Sequence, residues 1–113
     1  MSPEPVSLEH ETHISVGTVE QLESFITRPD TRQGDIFIEQ NFPVGPELTL
    51  NWIVKHDIFE GVVMHVSLID TDSYRHLGGV DKTISDAHDI FGEYTVRHQS
   101  KTYRLLIKPE QNA

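Results

Sequence analysis

Apolar and polar residues alternate at period two over much of the stretch from Asp35 to Ile69. Leu48, Leu50, Trp52 and Val54 point one way, and Glu47, Thr49, Asn51 and Lys55 point the other. Successive side chains of a strand leave opposite faces, so this stretch reads as antiparallel sheet with one dry and one wet face. It divides into three predicted strands, at about Asp35–Phe42, Glu47–Lys55 and Val62–Ile69. Between the first two, Pro43-Val44-Gly45-Pro46 should block ladder bonding and turn the chain. Between the second and third, His56–Gly61 is the connection. The third strand is apolar on both faces except at His65 and Ser67, which predicts a central position. Links this short leave no room for a crossover, so the three should form an antiparallel meander.

Other periods flank the meander. His13–Val16 predicts a short strand. Thr18 with Gln21 has the form of a capping box, and Val19, Leu22, Phe25 and Ile26 follow at helical spacing. Arg28-Pro29 should end that helix, because proline disfavours α conformation in the residue before it. Pro29–Gly34 reads as a polar loop, as does Asp70–Gly79. In Asp81–Phe91, the residues Ile84, Ala87, His88 and Phe91 make a helical stripe, with Asp81 as N-cap and Gly92 at C′. Thr, Ile, Ser and Asp are weak helix formers, yet the balance favours helix. A last hairpin pairs Tyr94–His98 with Thr102–Lys108, with Tyr103, Leu105 and Ile107 facing inward. Its turn at Gln99-Ser100-Lys101 lacks an Asn-Gly signal that would fix the register.

The expected fold is therefore α+β: a single small domain with a mostly antiparallel sheet in the order β-α-β-β-β-(α)-β-β, and one or two helices on one face. The domain should span 12–109, with tails at 1–11 and 110–113. Leu48, Leu50, Trp52, Val54, Leu105 and Ile107 should form the dry face. The sequence contains no internal repeat and no low-complexity tract.

Composition narrows the function classes. The 113 residues suit one domain. Five Phe, three Tyr and one Trp argue against disorder. Net charge is −9, and the nine basic residues are scattered without a run. Phosphate-backbone binding needs clustered Lys and Arg, so no nucleic acid is expected, nor docking on anionic lipid. The chain has no cysteine, which removes disulfides, thiolate catalysis, cysteine zinc sites and iron–sulfur ligation. The start, MSPEPVSLEHETH, has neither a basic nor an apolar leader region, and no apolar run approaches membrane-spanning length. The expectation is a cytoplasmic protein with no membrane span.

Each catalytic or metal pattern fails on spacing. His10-Glu11-Thr12-His13 puts its histidines three apart, whereas a zincin needs them four apart on a helix. Asp70-Thr71-Asp72-Ser73-Tyr74 departs from a calcium loop at its fifth and sixth positions, Tyr74 and Arg75, and has Asp81 where a bidentate Glu belongs. No serine sits in a Gly-x-Ser-x-Gly elbow, and Gly78-Gly79 matches neither phosphate-binding glycine motif. His65, beside Ser67, is a mid-strand histidine that suits a single hydrogen bond. Trp52 belongs to an apolar row and defaults to core, or to an interface anchor if that row is uncovered. No cofactor or metal is expected.

The densest mix of functional side chains lies at Asp70, Asp72, Tyr74, Arg75, His76, Asp86 and His88, around Gly78-Gly79. Loops on a rigid sheet commonly carry sites, and these residues are the binding candidates. Two functions follow. The leading one is a small acidic interaction module of inhibitor, immunity or accessory type, acting on a basic protein partner; a homodimer through the sheet is a second form of partnership. The alternative is a small enzyme or ligand-binding domain with its site at 70–92 over the open sheet. Convergence of His65, His76 and His88 in one pocket would favour the alternative.

Overall fold

The computed structural model describes residues 10–16, 19–28, 32 and 34–109. Residues 1–9 of the expected tail 1–11, the tail 110–113, the Thr18 cap and the Pro29 stop lie outside the described residues, and residues 10 and 11 of that tail already belong to a strand. Within them the chain forms seven strands, one α-helix and one 3₁₀ helix. The strands are β1 (His10–Val16), β2 (Ile36–Gly45), β3 (Leu48–Asp57), β4 (Gly61–Asp70), β5 (His76–Thr83), β6 (Gly92–His98) and β7 (Lys101–Pro109). The helix α1 spans Val19–Thr27 and the 3₁₀ helix Ala87–Ile90. The fold is α+β and mostly antiparallel.

The strands divide between two sheets. One has the order β2-β3-β4-β5 and is antiparallel throughout. The other has the order β1-β7-β6, in which β1 runs parallel to β7. One continuous core joins them. Leu50, Trp52, Val54, Met64, Val66 and Leu68 from the first sheet meet Val96, Tyr103, Leu105 and Ile107 from the second. Leu22 and Phe25 of α1, with Ile84, Ala87 and Ile90, complete it. The expected dry row is thus buried, with Leu48 only partly covered, and it is shared by both sheets. Trp52 is a core residue, and its indole N–H has no partner among the described residues.

Three local expectations are corrected. First, β2 runs on to Gly45, with Pro43 opposite Thr49, so the turn tightens to Pro46 and Glu47. β2 is a sheet edge, where a missing backbone donor is tolerated. Second, 76–83 is the strand β5 rather than loop and helix. Third, the helical stripe of 81–91 shrinks to the 3₁₀ helix, and its cap is Asp86, not Asp81. The Asp86 carboxylate accepts from the backbone, and the Asp89 carboxylate accepts from the Asp86 and Ser85 N–H groups. The Tyr94 hydroxyl donates to the Ile90 carbonyl at 2.8 Å and ties this helix to β6.

Candidate functional site

Strand register fixes the candidate residues. The β4–β5 turn gathers Asp70, Asp72, Tyr74, Arg75 and His76 at one end of the four-stranded sheet. Asp70 closes β4 and anchors the turn: its Oδ1 accepts from the N–H groups of Asp72 (2.9 Å) and Ser73 (3.0 Å). Tyr74 has φ of 61° and a side chain 83% exposed. Asp86 and His88 lie past the other end of β5. The eight-residue strand β5, which His76 begins, holds the two groups at its opposite ends, a span of roughly 25 Å.

The three histidines stay apart. His65 pairs across the strands with Asp81, its Nδ1 bonded to Oδ1, on the outer face of the sheet. His76 stands on β5 opposite Ile69, four residues further along β4, or roughly 13 Å. His88 bonds its own neighbour, Nδ1 to Asp86 Oδ1 at 3.0 Å, and its ring meets Phe91 edge-on. Among the described residues no three His, Asp or Glu side chains gather as a metal site would require, and no polar or charged residue is wholly buried. The zincin-like segment begins β1, where His13 Nε2 lies 3.4 Å from Glu11 Oε1. No helix among them is long and apolar enough to cross a membrane.

Acidic groups collect at the β3–β4 end. The turn Ile58-Phe59-Glu60 is built by Asp57, whose Oδ1 accepts from the N–H groups of Phe59 (2.8 Å) and Glu60 (3.1 Å), and by Gly61 at φ of 80°. Phe59 is 91% exposed and Ile58 59%. A groove of about 280 Å³ beside this tip is lined by Asp57, Glu60, His65, Asp81 and Lys82, whose ammonium is engaged by the Asp89 carbonyl. Where the chain leaves β5, a second groove of about 510 Å³ runs between α1 and the 3₁₀ helix, lined by Glu20, Glu23 and Asp86. Periodicity could not reveal Phe59, because a turn residue has no face to be assigned to. The Asp57 and Gly61 that bracket it were the available signal.

Backbone hydrogen bonds set the acid response of this surface. Asp57, Asp70 and Asp86 are all held below the ordinary carboxylate value of 3.8, chiefly by N–H donation from Phe59, Ser73 and His88 respectively. A carboxylate with a depressed folded pKa stabilises the fold above its unfolded value, and that contribution is lost as pH falls through the folded value. The denaturation midpoint should therefore drop as pH is lowered from about 5 to about 3. A variant carrying Asn at all three positions should show a shallower drop. An equally steep drop would assign the acid response to other groups.

No family model, curated protein or solved structure matches the chain.

Proposed function

We propose that this chain is a small acidic interaction module that docks, through the β3–β4 end, onto a basic surface of a protein partner in the cytoplasm. The observation that carries the reading is Phe59, a nearly bare aromatic ring between carboxylates. Exposed aromatics ringed by polar groups are typical binding anchors. Asp57, Glu60 and Asp81 line the groove beside the tip, and Glu20, Glu23 and Asp86 line the groove between α1 and the 3₁₀ helix; together they supply a field that attracts cationic side chains. The net charge of −9 acts in the same direction and repels nucleic acid and anionic lipid. The dispersal of His65, His76 and His88 supports this reading over an enzyme.

The test is capture of a partner from the native host on the immobilised chain, followed by kinetics. The association rate should fall by about tenfold as salt rises from low to high, with dissociation changing less. Phe59→Ala should chiefly raise dissociation, while Glu60→Lys should slow association. Asp72→Lys, at the far end, should do little. Asp70→Lys is a poor probe, because it also removes the acceptor that builds the β4–β5 turn. Association that stays flat with salt, or a Phe59→Ala variant that binds like the parent, would overturn the proposal.

A further inference from the structure

The opposite end of the molecule carries basic as well as acidic side chains. Three hairpin turns meet there: β2–β3, β4–β5 and β6–β7. The Thr71 N–H donates to the Glu47 carbonyl at 2.9 Å, and the Thr49 and Thr71 hydroxyls lie 2.7 Å apart, which ties the first two turns together. A groove of about 330 Å³ opens between these turns and the third. Arg75, His98 and Lys101 line it, with Leu48, Leu77 and Tyr103 as its apolar wall. None of the three nitrogen-bearing side chains forms an ion pair among the described residues. By contrast, Arg104 pairs with Glu11 and Glu93, and the Lys82 ammonium donates to the Asp89 carbonyl. Two carboxylates, Glu47 and Asp70, also reach the groove. Asp70 is occupied by its own turn, although Arg75 helps to hold its carboxyl low.

The rim is strained. Among the described residues, those with positive φ other than glycine are Glu47 (65°), Tyr74 (61°), Gln99 (53°) and Ser100 (69°), and every one of them belongs to one of these three turns. Glycine or asparagine would adopt this conformation at lower cost. Strained backbone of this kind concentrates where a surface is shaped for a ligand. A low-dielectric wall beside unpaired cations strengthens their pull on an anion. The volume is at the small end of ligand pockets.

We infer that the groove between the three hairpin turns binds a small molecule bearing a phosphate or carboxylate on an apolar body, with Arg75 and Lys101 on the anion and Leu77 and Tyr103 against the body. Arg75 supplies a planar fork for two anion oxygens, Lys101 a compact charge, and His98 a ring nitrogen on the groove wall. This site is independent of the acidic end, and in it Arg75 and Lys101 stand beside Glu47 and Asp70, of which Asp70 is engaged by its own turn.

The test is a titration followed by amide NMR shifts, with inorganic phosphate and with phenyl phosphate as probes, against potassium chloride at matched ionic strength. Saturable shifts confined to residues 46–48, 70–77 and 98–103 are expected, with phenyl phosphate binding more tightly than inorganic phosphate. Arg75→Gln and Lys101→Gln should each weaken phenyl phosphate by about fivefold, and the spectrum of each variant reports that it is folded. Lys108→Gln, on β7 beyond the groove, should leave binding unchanged. Shifts that fail to saturate, that spread over the surface, or that persist unchanged in Arg75→Gln would overturn the assignment.

Discussion

Leu50→Ala should lower the stability of the fold by about 2–5 kcal/mol. Leu50 is fully buried on β3, with Phe42 opposite it on β2 and Leu68 on β4. It belongs to the core that also holds Leu105 and Ile107 of the other sheet. Truncation removes the transfer free energy of the lost carbons and leaves a cavity that two sheets, pinned from several sides, cannot close. Asn51→Ala is the matched control. Asn51 is next in the strand but on the outer face, where its amide donates to Glu39 and Asn41. Exposed bonds of that kind are worth about 1 kcal/mol or less. Urea denaturation of both variants gives the comparison, and a Leu50→Ala loss under about 1 kcal/mol would remove Leu50 from the core and break the register.

The residues that could be read from the sequence are those whose burial is decided locally. β3, β4 and β7 each alternate at period two because each lies inside a sheet with one face on the core. The helix α1 shows its stripe for the same reason, with Leu22 and Phe25 buried. β5 stayed hidden because it is a sheet edge lying against β6, and its sequence HLGGVDKT has neither alternation nor β-branched density. What holds it is pairing with β4, a non-local fact. The 3₁₀ helix was half legible. An Asp at 86 with an Asp three positions later is a capping-box spacing that the longer apolar stripe obscured. The division into two sheets has no local signature, because β2–β4 and β6–β7 are both hairpin-linked antiparallel runs.

The same distinction governs the candidate residues. Asp70 to His76 are contiguous, so a single turn brings them together. Asp86 and His88 are near these residues in sequence only, and the intervening strand β5 sets the two groups apart. Arg75, His98 and Lys101 come from two different hairpins, and only the packing of β5 beside β6 unites them. A search by spacing finds motifs that one element can present, and the three-turn groove is not of that kind.

Gly79→Ala should destabilise the fold by about 1–3 kcal/mol or more, whereas Gly78→Ala next to it should stay within about 0.5 kcal/mol of the parent or gain slightly. In an ordinary strand, alanine for glycine is favourable, since it restricts the unfolded chain. Gly79 is an exception, because a methyl built on it would stand 2.6 Å from the Val66 carbonyl oxygen and 3.2 Å from the Ser67 Cα. Those are backbone atoms of the central strand β4, which cannot give way without breaking its ladder. On Gly78 the methyl would meet only a Val96 methyl at 3.5 Å and the Arg97 carbonyl at 3.9 Å, which is ordinary contact. The paired glycines thus do different jobs: Gly79 lets β5 close on β4, and Gly78 leaves room for β6. Equal stability of the two variants in parallel urea titrations would mean that β5 is held less closely than this. If Gly79→Ala is the weaker variant, its shifted β5 should also disturb the turn that carries Arg75. Phenyl phosphate should then bind Gly79→Ala less well than Gly78→Ala, even at denaturant-free conditions where both are folded.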